Sequence, residues 1–83
     1  MAIYVDHMRV SKSGRHFNHL LGTSLSELHE FAARLGFKRS WFHARAKYPH
    51  YDITDAQRER AISQGAIPVS SRDLIAIARK ASE

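Results

Sequence analysis

Cysteine is absent from the chain, which excludes disulfides, thiolate zinc sites and cysteine nucleophiles. Proline and glycine are scarce, 2 and 4 residues in 83, so collagen-like repeats and Pro/Gly-rich disorder are excluded too. No apolar run approaches the roughly 18–20 residues that span a bilayer, and Met1 to Val10 has no basic stretch leading into an apolar core. Acidic residues are also in short supply, 8 against 13 basic ones, for a net charge of +5. The remaining composition, 43% hydrophobic and 25% charged, is that of an ordinary globular chain. The expectation is a single compact domain over residues 1–83, cytoplasmic, with no membrane partner.

The basic excess is local. Arg34, Lys38, Arg39, Arg45 and Lys47 fall in a stretch without an acidic residue, and Phe37, Trp41, Phe42, Tyr48 and Tyr51 crowd the same stretch and its exit. Cations interleaved with aromatics suit a phosphate backbone and stackable bases. Arg39, Trp41, Arg45 and Lys47 are therefore candidate nucleic-acid contacts, and an acidic protein surface is the other partner such a face fits. The competing reading is a solvated basic loop whose aromatics turn inward to complete a small core.

Local patterns give an order of elements. Ala2 to Val5 reads as a strand buried on both sides. Arg9 to Gly22, with Ser11, Ser13, Gly14 and Asn18, reads as a long loop. Ser24-Leu-Ser-Glu27 is a capping box opening a helix whose stripe is Leu25, Leu28, Phe31, Ala32 and Leu35, stopped by Gly36. Thr54-Asp-Ala-Gln57 opens a second helix to about Ser63, with Gly65 as its stop. Ala66 to Val69 reads as a strand weakened by Pro68. Ser70 to Asp73 caps a last helix lined by Leu74, Ile77, Ala78 and Ala81. The fold class expected is α/β: a small sheet of two or three strands, at least one parallel crossover and three main helices. A parallel crossover sets Asp6 and Ser70 at neighbouring strand ends, where open α/β sheets bind ligands. Ser70, Ser71 and Arg72 then offer free helix N–H groups and a cation to a phosphate.

Histidine is the second excess, at 6 residues. Asp6-His7, His16-Phe-Asn-His19 and His50-Tyr-Asp52 are the local clusters. Imidazole with carboxylate is a ligand set for Zn, Mn, Fe or Ni and also a general-base set. No pair has a spacing as specific as HExxH. His29 lies at the margin of the first helix's apolar stripe, where a half-buried packing role competes with a site role. His7 and His43 carry weaker cases.

Tyr4-Val5-Asp6, Phe17-Asn18-His19-Leu20, Leu28-His29-Glu30-Phe31-Ala32, Leu35-Gly36, His50-Tyr51-Asp52, Gly65-Ala66 and Val69 to Leu74 occur in that order. In these the chain resembles a small family of bacterial and phage proteins catalogued as a domain of unknown function, some of whose members precede an HD-type phosphohydrolase domain. The His-Tyr-Asp element is the most specific part of the resemblance. The resemblance implies Asp6, His19, His29, His50, Asp52 and Arg72 as family positions, and implies no established activity.

Two function classes follow. In the first, the domain binds a metal or phosphate and acts as a phosphodiesterase or nuclease. Asp6, His19, His29, His50 and Asp52 are then its catalytic residues, with Asp6, His19, His50 and Asp52 the ligands of a divalent metal and Ser70, Ser71 and Arg72 holding a phosphate. In the second, it is a non-enzymatic nucleic-acid- or protein-binding module using residues 34–47. So short a chain leaves little scaffold to support a catalytic shell, so an enzyme here is expected to work as a homo-oligomer or within a fusion.

Overall fold

A computed structural model describes residues 2–81. The element order is β1 (Ile3–Val5), β2 (Val10–Lys12), β3 (Arg15–Gly22), α1 (Leu25–Arg34), a 3-10 turn (Arg39–Trp41), β4 (Phe42–His43), β5 (His50–Ile53), α2 (Asp55–Ser63), β6 (Ile67–Pro68) and α3 (Ser71–Ala81). The class is α/β with three helices, as the patterns predict. The sheet is larger than expected: it has six strands, in the order β4-β5-β3-β1-β6 with β2 paired to β3, in place of two or three.

The added strands come from Arg9 to Gly22, which reads as loop, and from the basic aromatic segment and the His-Tyr-Asp cluster that follows it. Arg9 to Gly22 is a hairpin, β2 pairing antiparallel with β3 from Val10↔Phe17 to Lys12↔Arg15. Ser13 and Gly14 both have positive φ, 50° and 78°, the backbone of a two-residue type I′ turn that matches the strand twist. β4 and β5 form a second antiparallel hairpin, with Phe42↔Tyr51 and His43↔His50. It brings the exit of the basic aromatic segment into the sheet.

The parallel pair holds. β1 runs parallel to β6, with Val5 opposite Pro68, and the Val69 N–H extends the ladder to the Val5 carbonyl at 2.9 Å. Asp6 and Ser70 therefore follow the carboxyl ends of adjacent strands. Pro68 lies on an edge strand, where its missing donor costs least.

Strand alternation divides the apolar residues between two faces. On one face Ile3, Val5, Leu20, Tyr51 and Ile53 pack with Leu28, Phe31, Ala32 and Leu35 of α1 and with Ala61 of α2. On the other, Leu21 and Tyr4 pack with Leu74 and Ala78 of α3. Gly22 fits under α1 because a Cβ there would lie 3.0 Å from Ile3 and 3.2 Å from Leu28.

Caps fix the helix ends. Thr54 and Gln57 form a complete capping box, the Gln57 side chain accepting from the Thr54 N–H at 2.8 Å. Ser24 accepts from the Glu27 N–H at 3.4 Å, but the reciprocal half of that box is missing and Glu27 Oε2 is buried without a partner. Ser70 Oγ accepts from the Asp73 N–H at 3.0 Å and caps α3.

Candidate metal centre

The centre is built on β3 and β5, whose register sets His19 directly opposite Asp52. On β5, His50 and Asp52 share one face while Tyr51 and Ile53 enter the core on the other. His19, His50 and Asp52 each direct one donor atom into a space where all three lie within 4.8 Å of one another. The His19 and His50 rings meet edge to face at 4.7 Å.

Asp6 lies behind His19. It is almost fully buried, and its Oδ2 accepts from His19 Nδ1–H at 2.8 Å. Its Oδ1 accepts the backbone N–H groups of His19 at 2.8 Å and Met8 at 3.4 Å. Both carboxylate oxygens are therefore engaged. Burial pushes the Asp6 carboxyl up, but the His19 ring, the His19 amide and the imidazolium charge outweigh it and leave it below its ordinary value. The same hydrogen bond raises His19, against burial. With Nδ1 committed to Asp6, His19 presents Nε2 to the cluster.

His50 is oriented in the same way. Its Nδ1–H donates to the Tyr48 carbonyl at 2.7 Å, so the neutral ring carries its lone pair on Nε2, which faces Asp52 Oδ1 at 3.3 Å. Desolvation lowers the His50 pKa, opposed by the Tyr48 carbonyl and reinforced by the charge of His19. A neutral His50 then sets a lone pair against a carboxylate oxygen, a contact that becomes favourable when a cation or proton joins the two.

Asp52 is the charge at the centre. Its Oδ2 accepts from Lys12 Nζ at 2.6 Å; His43 Nε2 lies 2.9 Å from the same oxygen, and the His43 ring stacks on His50 at 5.3 Å. Burial raises Asp52, but the Lys12 hydrogen bond and the charges of His43, Lys12 and His50 bring it below its ordinary value.

Of the candidates drawn from the sequence, Asp6, His19, His50 and Asp52 come together. His29 does not. It sits on α1 across the sheet, sharing a 2.7 Å hydrogen bond with Tyr51 Oη and packing on Phe42 at 4.5 Å. Desolvation, then the charge of Arg39, lowers its pKa. Ser70 is occupied as a cap, Ser71 lines a cavity beside His19 and His50, and Arg72 is exposed and outside that lining.

In the basic segment, Phe37 is buried and Trp41 and Phe42 pack against the core, with the Phe37 and Trp41 rings 5.8 Å apart. Trp41 thus gives part of its surface to packing. Arg39, Arg45 and Lys47 are exposed.

Lys12 and His43 also belong to the cluster; the sequence does not single out Lys12 and gives His43 only a weaker case. For Lys12 the signal was the Ser13-Gly14 turn, which pairs β2 with β3 and brings Lys12 to the Asp52 side. For His43 it was the pairing of two short segments, which no local pattern announces. A separate polar network stands beside α2: Asp55 accepts from Asn18 Nδ2 at 2.9 Å and from Arg9 Nε at 3.1 Å, with His7 at 3.4 Å. It uses His7 and the buried Asn18 to anchor the turn after β1.

Among the described residues no helix is long and apolar enough to cross a membrane. The model of the family described as "Protein of unknown function (DUF4031)" matches residues 3–81. Neither the curated proteins nor the solved structures contain a match to the chain. With nearly its whole length covered, the chain belongs to that family.

Proposed function

We propose that the domain holds a divalent metal ion through His19, His50 and Asp52 and acts on a phosphate ester. The observation that carries the reading is the pair of hydrogen bonds behind the histidines. Asp6 fixes His19 and the Tyr48 carbonyl fixes His50, each through Nδ1, and both rings are left with Nε2 as the donor beside one carboxylate. An acceptor behind each ligating imidazole sets the tautomer and raises its basicity. Two histidines and one carboxylate with remaining open positions suit Zn or a first-row metal such as Fe or Mn.

Bond lengths of about 2.0–2.2 Å place donors around one ion roughly 3–3.5 Å apart. The His50–Asp52 separation of 3.3 Å is already in that range, and the widest pair, at most 4.8 Å, closes by side-chain adjustment. Asp6 serves as the residue that orients His19, because neither of its oxygens is free to ligate.

A divalent ion held by His19, His50 and Asp52 would supply Lewis acidity, making water more acidic and offsetting charge on a phosphoryl oxygen. The chain supplies the surroundings. Lys12 adds positive charge beside the ion, where charge develops on phosphoryl oxygens, His43 stands 2.9 Å from Asp52 Oδ2, and Ser71 brings the start of α3 to the rim. In hydrolysis the water oxygen bonds to phosphorus, the ester P–O bond breaks and the leaving oxygen takes a proton.

The test is calorimetric titration of the chelator-treated protein with Zn²⁺ and Mn²⁺, followed by hydrolysis of bis(p-nitrophenyl) phosphate by the loaded form. One ion per chain is expected, lost in His50→Ala and Asp52→Asn, with turnover following occupancy. No uptake, or uptake indifferent to both substitutions, overturns the metal site. Uptake without turnover overturns the hydrolytic part.

A further inference from the structure

Beside the cluster lies a cavity of about 240 Å³ that reaches Asp6, His19 and His50. Most of its wall is apolar, supplied by Met8, Leu21, Tyr48, Leu74, Ile75 and Ala78. Ala46, Lys47 and Ser71 complete the lining. On the other side of the same two histidines is an open depression of about 580 Å³ bordered by Lys12, His43 and Arg45. The cluster thus sits at a boundary, with an apolar slot toward α3 and a cationic surface toward the β4–β5 connection.

From this juxtaposition we infer that the substrate is a phosphate monoester or diester whose organic part carries one flat ring system, such as a nucleoside monophosphate. The ring enters the slot between α3 and Tyr48, and the phosphate lies over His19 and His50 toward Lys12 and Arg45. Three observations select this class. Apolar walls offer nothing to a bare phosphate or a sugar phosphate, whereas a ring leaving water gains there. The slot is smaller than the roughly 300 Å³ at which drug-sized ligand pockets begin, so it takes one ring system and not a run of stacked bases. Met8 and Ile75 are large apolar side chains standing exposed, at 55% and 46%, and both lie on its rim, where a bound ring would cover them.

The inference rests on the metal-site reading and deepens it, so the experiment separates the two. Protein loaded with Zn²⁺ or Mn²⁺, whichever it takes up in a His50-dependent manner, is titrated with AMP, ribose 5-phosphate and inorganic phosphate. AMP should bind at least about tenfold more tightly than the other two, the order expected when much of a ring's apolar surface leaves water. Ile75→Glu, on an exposed helix position that the fold tolerates, should erase that preference and leave metal uptake unchanged. A second variant, Met8→Glu, should act in the same direction. Equal binding of AMP and ribose 5-phosphate overturns the ring slot and leaves the metal site standing. A preference for AMP that survives both rim substitutions also overturns it, since the ring then binds elsewhere. No metal uptake at all overturns both readings together.

Discussion

The two faces of the sheet are made by the same strands and differ in almost everything else. Toward α1 and α2, β5 contributes Tyr51 and Ile53 to a continuous apolar core; toward the other side it contributes His50 and Asp52. β3 does likewise, with Leu20 inward to α1 and His19 outward. The helical face is closed by two elements, whereas α3 covers only the part of the opposite face around Leu21. Because side chains alternate along a strand, each site residue is rigidly seated on a core residue next to it in sequence. The core face carries stability, and the half-open face carries polar groups that a closed core would not tolerate. Fixing the donors on strands holds them more closely than loops would.

This division is broken most directly by a core truncation. Leu28 on α1 is fully buried, and Leu28→Ala should cost about 2–5 kcal/mol. In a domain of this size that lowers Tm by at least about 8 °C. His50→Ala on the other face should cost no more than about 1.5 kcal/mol in the metal-free protein, since it is half-buried and not in the main core. Urea denaturation of the two variants checks the contrast. Equal losses would mean that the histidine face is part of the core and not a separate functional surface.

The core face was the legible one. The stripe from Leu25 to Leu35 and the Thr54 box place α1 and α2 from local spacing alone, because a helix is determined by neighbours three and four residues apart. The order of elements implies the parallel β1–β6 pair, and with it the proximity of Asp6 to the start of α3. β3 reads as loop in the sequence because its eight residues, Arg15–Gly22, mix His16, Asn18 and His19 with its apolar positions. Asn18 faces inward, where it bonds Asp55 and the Arg9 amide, so alternation gives no clean period. His50 to Ile53 is only four residues long and stands out in the sequence as a His-Tyr-Asp cluster, not as a strand pattern. The polar cluster was legible as composition, in an excess of histidine next to carboxylates. Its membership was not, since the position of His29 across the sheet and those of Lys12 and His43 within it are set by strand register.

A smaller effect sharpens the account of the polar face. Lys12 is about half exposed and bonds Asp52 at 2.6 Å, so in the metal-free protein it occupies the charge that a metal would use. Lys12→Met should cost less than about 1 kcal/mol of stability, the range of partly exposed ion pairs. It should at the same time tighten metal binding several-fold, up to about tenfold, because one competitor for the carboxylate is gone. Calorimetry at fixed ionic strength reads both quantities. A weaker metal affinity in Lys12→Met would mean that Lys12 holds Asp52 in its ligating position and does not compete.

The smallest effect is one of sign, and it distinguishes the faces through one histidine on each. His19 hydrogen-bonds Asp6, which raises its pKa above the ordinary 6.5. Its contribution to stability is complete below that value and is lost as pH rises through the folded-state pKa. His29, on the closed face, is lowered by desolvation and then by the charge of Arg39. Its neutral ring suits the folded state, so its contribution is present above 6.5 and is lost as pH falls through the folded-state pKa. Denaturation of the chelator-treated protein at pH 5.5 and pH 8 should therefore give opposite trends for two substitutions. The destabilisation caused by His19→Gln should be larger at pH 5.5 than at pH 8, because the charged pair with Asp6 is what the variant lacks. For His29→Gln the loss should be larger at pH 8, where the neutral ring and its bond to Tyr51 are intact in the parent. Two trends of the same sign would show that His19 and His29 experience one electrostatic environment, and the separation of the faces would then not extend to charge.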